Sequence, residues 1–196
     1  MIQHTLILLG LSHAGKTTAG KLLASLLGCP FYDTDALIQQ QTGLTPRELC
    51  TQSGIPAFHR AEAAALSSCC AAVQNGAADE AAVSSRAVVI AAGGGLCDNQ
   101  EAAALLAGIP HRIFLYAAES VLFERLTQDA QRVGCYPAFL QLVPAAQYTA
   151  AQQLFSLLYA RRTAYSRQCC TFCIDTTHLT AAAVAQSIAA EYSKAV

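Results

Sequence analysis

The chain has 196 residues, of which 54% are hydrophobic and 13% are charged, and its formal net charge is -1. This length and composition are typical of a globular protein with a sizeable core, and they exclude a disordered chain. The charges form no basic stripe of the kind that binds nucleic acid, so we expect no such partner. The first apolar run ends at Gly10 without a basic leader, which predicts a cytoplasmic protein with no membrane contact. We also expect a monomer.

Short apolar runs alternate with helical patterns along the whole chain. The runs that predict strands are Thr5–Leu9, Pro30–Tyr32, Ala87–Ala92, Arg112–Tyr116 and Thr171–Ile174. Continuous apolar strands have both faces buried, and the helices between them connect parallel neighbours. The sequence therefore predicts an α/β fold, with a parallel sheet covered by helices on both faces, in one domain of residues 1–196.

Helix signals lie between these strands. Leucines at helical spacing in residues 21–27 are followed by a glycine, and Thr45-Pro-Arg-Glu48 has the spacing of a capping box. Asp98-Asn-Gln-Glu101 predicts another helix start of the same kind. The alanine-rich residues 62–80 predict a helix, whereas residues 131–147 predict an irregular loop of a length that is usually functional or disordered.

The stretch GLSHAGKT at residues 10–17 matches G-x-x-x-x-G-K-T between a buried strand and an amphipathic helix. The glycines let backbone N–H groups approach phosphate oxygens, the lysine adds a positive charge, and the threonine hydroxyl can ligate Mg²⁺. We therefore predict a nucleotide site whose residues are Gly10, Ser12, His13, Ala14, Gly15, Lys16, Thr17 and Thr18.

Two aspartates follow the second predicted strand. Asp33 and Asp35 are two residues apart, and in a strand residues i and i+2 share a face. Both carboxylates would then face the carboxyl edge of the sheet, where open α/β proteins bind ligands. One of them is also expected to cap a helix over residues 36–41.

The nine cysteines are expected to be reduced, because free cysteine behaves as a small buried hydrophobe. Cys170 and Cys173 form a C-x-x-C pair in a predicted strand, and no second pair has matching spacing. We therefore expect no zinc site.

Taken in order, the motifs resemble those of the shikimate kinase family over nearly the whole chain. The phosphate loop is followed by DTD at 33–35, AFHRAE at 57–62, GGG at 93–95, FERL at 123–126 and RRTAY at 161–165. The resemblance implies a P-loop NTPase fold with a five-stranded parallel sheet of order 2-3-1-4-5. It also implies a substrate-binding region at about 33–62 and a lid at about 131–147.

The same resemblance implies transfer of the ATP γ-phosphoryl group to a hydroxyl of shikimate, a small-molecule substrate, with Mg²⁺. Lys16 and Thr17 would hold phosphate and metal, Asp33 would lie near the metal, and Asp35 would bind the acceptor hydroxyl as the base. The remaining roles are a catalytic lid arginine, an arginine beside adenine, backbone donors to the acceptor ring and a cation for its carboxylate. The residues that match these roles are Arg132, Arg125, the triplet Gly93, Gly94 and Gly95, and Arg161, with Arg162 beside it.

Three positions depart from the family pattern. His59 stands where the family has an arginine that binds the substrate carboxylate, and imidazole cannot make that two-pronged bond. His13 replaces a third glycine of the phosphate loop. After Arg132 the lid sequence differs, and an alternative register would place Tyr136-Pro137 at the family's Arg-Pro. A kinase for another hydroxylated acid, such as gluconate, and a nucleotide-binding regulator without transfer activity are the alternatives.

Overall fold

A parallel sheet of five strands lies at the centre of the computed structural model, which describes residues 4–76, 87–140 and 143–195. The strands are β1 (Thr5–Leu9), β2 (Phe31–Asp33), β3 (Val88–Ala91), β4 (His111–Tyr116) and β5 (Phe172–Asp175). Their spatial order is β2-β3-β1-β4-β5, and every pair is parallel. The predicted strand order is confirmed, and each predicted strand lies within one residue of the observed one.

Seven helices of the described residues surround the sheet. They are α1 (Lys16–Leu27), α2 (Thr34–Thr42), α3 (Pro46–Gly76), α4 (Gln100–Leu106), α5 (Glu119–Val133), α6 (Tyr148–Cys169) and α7 (Ala181–Ala195). Short 3-10 helices cover Leu96–Asp98 and Ala138–Leu140. None of the helices that the structure describes is both long and apolar enough to cross a lipid bilayer.

The core lies on both faces of the sheet. In β1, Leu6 and Leu8 pack in one apolar cluster, and Ile7 and Leu9 pack in another on the opposite face. Side chains alternate along a strand, so a strand that is apolar at every position is buried on both sides. The uninterrupted apolar run of β1 is therefore explained.

Helix ends follow the local sequence. In the capping box of α3, Glu48 accepts from the backbone N–H of Thr45 at 2.8 Å, and the N–H of Glu48 donates to the Thr45 hydroxyl at 3.3 Å. Gly54 interrupts α3 with φ 79° and ψ 168°. The alanine-rich segment predicted as a helix belongs to α3 as far as Gly76, and its residues 77–80 lie outside the described residues.

Two local predictions are wrong. Asn99, not Asp98, caps α4, because its side-chain oxygen accepts from the N–H of Ala102 at 3.3 Å. Cys170 does not lie in a strand with Cys173 but ends α6, and its sulfur is 3.1 Å from the Cys173 sulfur. In both cases one residue of shift at an element boundary separates the pattern from the fold.

Candidate active site

The loop between β1 and α1 has the shape of a phosphate-binding loop. Gly10 has a φ of 148°, and a Cβ there would lie 2.3 Å from the carbonyl oxygen of Leu115, so only glycine fits. Gly15 has a φ of 89° and precedes α1, whose N-terminus no side chain of the described residues caps. The N–H groups of this first turn are therefore available to an anion, which the helix dipole favours.

The other residues of the loop take different positions. His13 has a φ of 65°, which makes it the one non-glycine residue of the described chain with a positive φ. Arg125 of α5 donates to the carbonyl oxygen of His13 at 3.1 Å, so its guanidinium lies beside the loop. Ala14 is buried and Thr18 is exposed on α1.

Lys16 is held over the loop by its backbone. Its ammonium group donates to the carbonyl oxygens of Gly10 and Leu11 at 2.9 and 2.8 Å. Burial lowers the pKa of Lys16 to about 8, although the nearby carboxylates of Asp35 and Asp33 oppose the change. A polyphosphate at the loop would supply the negative charge that favours the protonated form.

Thr17 and Asp33 lie together, as a metal site requires. The Thr17 hydroxyl donates to Oδ2 of Asp33 at 2.7 Å, and Oδ1 of Asp33 accepts from the N–H of Asp35 at 3.0 Å to cap α2. A hydroxyl and a carboxylate beside a phosphate-binding loop are oxygen ligands of the kind that Mg²⁺ takes in such sites. The residues present therefore fit a bound Mg²⁺.

Asp35 reaches the site from a helix and not from a strand. β2 ends at Asp33, where the cap of α2 begins, so strand alternation does not describe the two carboxylates and that part of the prediction is wrong. Asp35 keeps solvent access on the side of the cavity described below, but the surrounding protein removes part of its hydration. This desolvation raises the pKa of Asp35, the charge on Lys16 lowers it, and Asp33 raises it.

The glycine triplet after β3 packs against Asp35 of α2 and against Ser12 of the phosphate loop. A Cβ on Gly93 would lie 2.9 Å from Oδ1 of Asp35, and one on Gly94 would lie 2.6 Å from the Ser12 hydroxyl. The N–H of Gly93 already donates to the Thr34 hydroxyl at 2.9 Å. Small residues are therefore required here, and Gly93 has its N–H engaged within the protein.

Glu62 is a buried carboxyl beside Asp35. Its Oε2 accepts from the Asn99 side chain at 3.1 Å, and its Oε1 has no hydrogen-bond partner among the described residues. Burial raises the pKa of Glu62 to about 7, against the opposing effect of the Asn99 hydrogen bond. Asn99 also donates to the carbonyl oxygen of His59 at 2.7 Å, whereas Arg60 is exposed. Asn99 was recognisable from the sequence only as a residue at a helix start.

A cavity of about 860 Å³ adjoins the phosphate loop. Its wall combines the loop, the aspartate of α2, the glycine triplet and parts of α3 and α6. The lining residues include Ser12, Asp35, Arg47, Phe58, His59, Gly94, Gly95, Asp98, Pro137, Phe139, Arg161 and Arg162. The cavity is large enough for a small polyhydroxylated acid with room to spare.

Two adjacent arginines of α6 line this cavity and share one carboxylate. Arg161 donates to Oδ1 of Asp98 at 2.8 Å and is mostly exposed. Arg162 is buried and donates to Oδ2 of Asp98 at 2.7 Å and to the carbonyl oxygen of Gly94 at 3.2 Å. The pair fixes α6 against the turn that follows the glycine triplet.

Arg132 is not among the described residues that line the cavity. It is in the last turn of α5, where it pairs with Asp129 at 2.6 Å and is exposed to solvent. Tyr136, the alternative at the lid position, is fully buried and stacks on Phe123. Pro137, which follows it, lines the cavity.

The strand order, the phosphate loop and the adjoining cavity define a P-loop protein of the small-molecule kinase class. The family model described as shikimate kinase matches residues 12–193. The chain therefore belongs to the shikimate kinase family, as the order of its motifs predicted.

Known relatives agree with this assignment. The chain is 30% identical over 190 residues to a shikimate kinase of Thermodesulfovibrio yellowstonii, a match that covers 96% of this chain and 95% of the relative. A shikimate kinase of Oleidesulfovibrio alaskensis is 41% identical over 61 residues, which cover 31% of this chain and only 36% of that protein. Shikimate kinase from Acinetobacter baumannii, solved in complex with shikimate, matches with a TM-score of 0.75 and 25% identity, covering 98% of this chain and 94% of that one.

Proposed function

We propose that this chain transfers the terminal phosphoryl group of ATP to the 3-hydroxyl of shikimate, giving shikimate 3-phosphate and ADP. The proposal rests mainly on the cavity that the phosphate loop and α2 line together. Ser12 of the phosphate loop and Asp35 of α2 both line one cavity, so a phosphate at the loop and an alcohol in the cavity would meet. Membership of the shikimate kinase family supports the choice of reaction and acceptor.

Asp35 is the residue that would accept the proton of the attacking hydroxyl. The acceptor oxygen bonds to the γ-phosphorus, the bond from that phosphorus to ADP breaks, and the hydroxyl proton passes to the carboxylate. Because desolvation raises the pKa of Asp35, its carboxylate is a better base than an aspartate in water. Lys16 would contribute positive charge at the transferring group.

The loop residues would hold the triphosphate, and Arg125, which donates to the carbonyl oxygen of His13, would flank the adenine. Thr17 and Asp33 would hold Mg²⁺, which supplies neutralisation of phosphate charge when bound. Residues 131–147 would act as the lid, and Arg132 would reach the phosphates only when that segment closes. Lid closure would exclude water, so that the phosphoryl group passes to the alcohol instead.

An acceptor screen tests this function. ADP release from Mg²⁺-ATP would be measured with shikimate, gluconate and other hydroxy acids, and Asp35→Asn would serve as the matched control of equal size. We expect turnover with shikimate in the wild type and a loss of about 100-fold or more in the variant, the range for a general base. Turnover with a different acid only, or nucleotide binding without transfer, would contradict the proposal.

A further inference from the structure

The side chains that line the cavity beside the phosphate loop carry more positive than negative charge. Among the described residues that line it are three arginines, 47, 161 and 162, and two aspartates, 35 and 98. Asp98 is shared between the two arginines of α6, and Asp35 faces the phosphate loop. An acceptor with one negative charge would neutralise the net positive charge of these five side chains.

Arg47 is the one arginine of this wall that has no carboxylate partner among the described residues. It lies in the first turn of α3 and is half-buried, and its Nη1 donates to the Cys135 sulfur at 3.9 Å. A thiol is a weak acceptor, and none of the described carboxylates forms an ion pair with Arg47. Most of its five N–H donors are therefore free for a ligand.

Arg47 and His59 lie on opposite sides of the interruption of α3. Gly54 takes a φ of 79° between the two limbs of the helix, a conformation that favours glycine. Arg47 on the first limb and His59 on the second both line the same cavity. Of the two, only a guanidinium can present two parallel N–H groups to a carboxylate.

We propose that Arg47 binds the carboxylate of the acceptor and thereby selects acids over neutral polyols. The choice of shikimate as probe rests on the proposed function, whereas the role of Arg47 follows from the charges and bonds of the cavity wall. A guanidinium that now holds only a thiol would exchange that weak contact for a charge-assisted pair. Arg162 would keep its bonds to Asp98. Arg161, which the family resemblance implies as a cation for the same carboxylate, would share that carboxylate with Arg47, because its guanidinium is mostly exposed.

The test compares shikimate with its neutral carboxamide in the wild type and in Arg47→Gln. For each protein, kcat/KM and the equilibrium Kd of both compounds are measured with Mg²⁺ and nucleotide. We expect Arg47→Gln to lower the preference for the acid by about tenfold or more, mainly through KM, and to change the values for the carboxamide little. Arg47→Lys should restore part of the preference, because it keeps the charge without the two-pronged geometry.

Two further variants separate binding from packing. Arg60→Gln removes an exposed positive charge from the same helix, and Cys135→Ala removes only the thiol contact of Arg47. Both are expected to keep the wild-type preference for the acid. An unchanged preference in Arg47→Gln, equal losses for acid and carboxamide, or a Cys135→Ala variant that reproduces the loss would overturn the assignment.

The same data distinguish failure of the proposed function. If wild-type protein binds shikimate without phosphorylating it, the proposed function fails, and the ratio of the two Kd values still decides the role of Arg47. If wild-type protein binds neither compound, both proposals are wrong.

Discussion

Glu62 is energetically unfavourable when it is ionised, because its carboxyl is fully buried and one of its oxygens has no hydrogen-bond partner among the described residues. Burial raises its pKa from 4.5 to about 7. The folded state therefore binds this proton more tightly than the unfolded state does. The resulting stabilisation is complete below about pH 4.5 and is lost as the pH rises through about 7.

A Glu62→Gln variant tests that linkage. Between pH 5 and 7.5 the free energy of unfolding of the wild type should fall relative to the variant by about 2 kcal/mol, since glutamine has no proton to lose. Urea unfolding of both proteins at the two pH values measures the difference. Parallel pH dependences would show that Glu62 titrates in its ordinary range.

His13 stores backbone strain at the phosphate loop. Its φ of 65° is unfavourable for a residue with a Cβ, by about 1–2 kcal/mol, while glycine adopts it freely. His13→Gly should therefore stabilise the fold by up to about 1 kcal/mol, after the entropy of the unfolded glycine is subtracted. His178 is also exposed but has no positive φ, so His178→Gly should destabilise it. Thermal unfolding that moves in the same direction for both variants would contradict this account.

At the scale of elements, the turn after β3 and helix α6 are joined through Asp98. Its Oδ2 accepts from Arg162, which is buried, so the loss of the carboxylate leaves a buried cation without its anion. Asp98→Asn should cost about 3 kcal/mol, in the range for breaking a buried pair. The matched control is Asp129→Asn, whose partner Arg132 is exposed, and it should cost less than about 1 kcal/mol. Equal shifts of Tm in the two variants would show that the ion pair between Asp98 and Arg162 does not stabilise the fold more than an exposed pair does.

Element boundaries also show how far the sequence predicts the structure. The strands were predictable because buried parallel strands are apolar at every position, a signal that needs no knowledge of partners. The position of Asp35 was not, because strand alternation and the helix cap compete at Asp33, and the side-chain cap ends the strand there. A similar competition placed Asn99, and not Asp98, at the start of α4.

At the scale of the whole molecule, the phosphate loop was predictable because its residues are adjacent in the sequence and act through their backbone. The cavity beside the phosphate loop was predictable only in part, because its wall is assembled from α2, α3, α6 and the turn after β3. Which arginine faces it depends on how each helix packs. For this reason the sequence did not show that Arg162, beside the predicted Arg161, is the arginine that is buried against Asp98. Nor did any sequence motif indicate that Arg47 lines the cavity.

We propose that nucleotide and alcohol share one cleft, and the fate of the phosphoryl group distinguishes transfer to the alcohol from transfer to water. Wild-type protein would be incubated with Mg²⁺-ATP and shikimate, and the products followed by ³¹P NMR with correlation to the ring protons. We expect one phosphate monoester, coupled to the proton at carbon 3, in step with ADP. Inorganic phosphate as the only new phosphorus species, or a monoester at another position, would rule out transfer to the 3-hydroxyl.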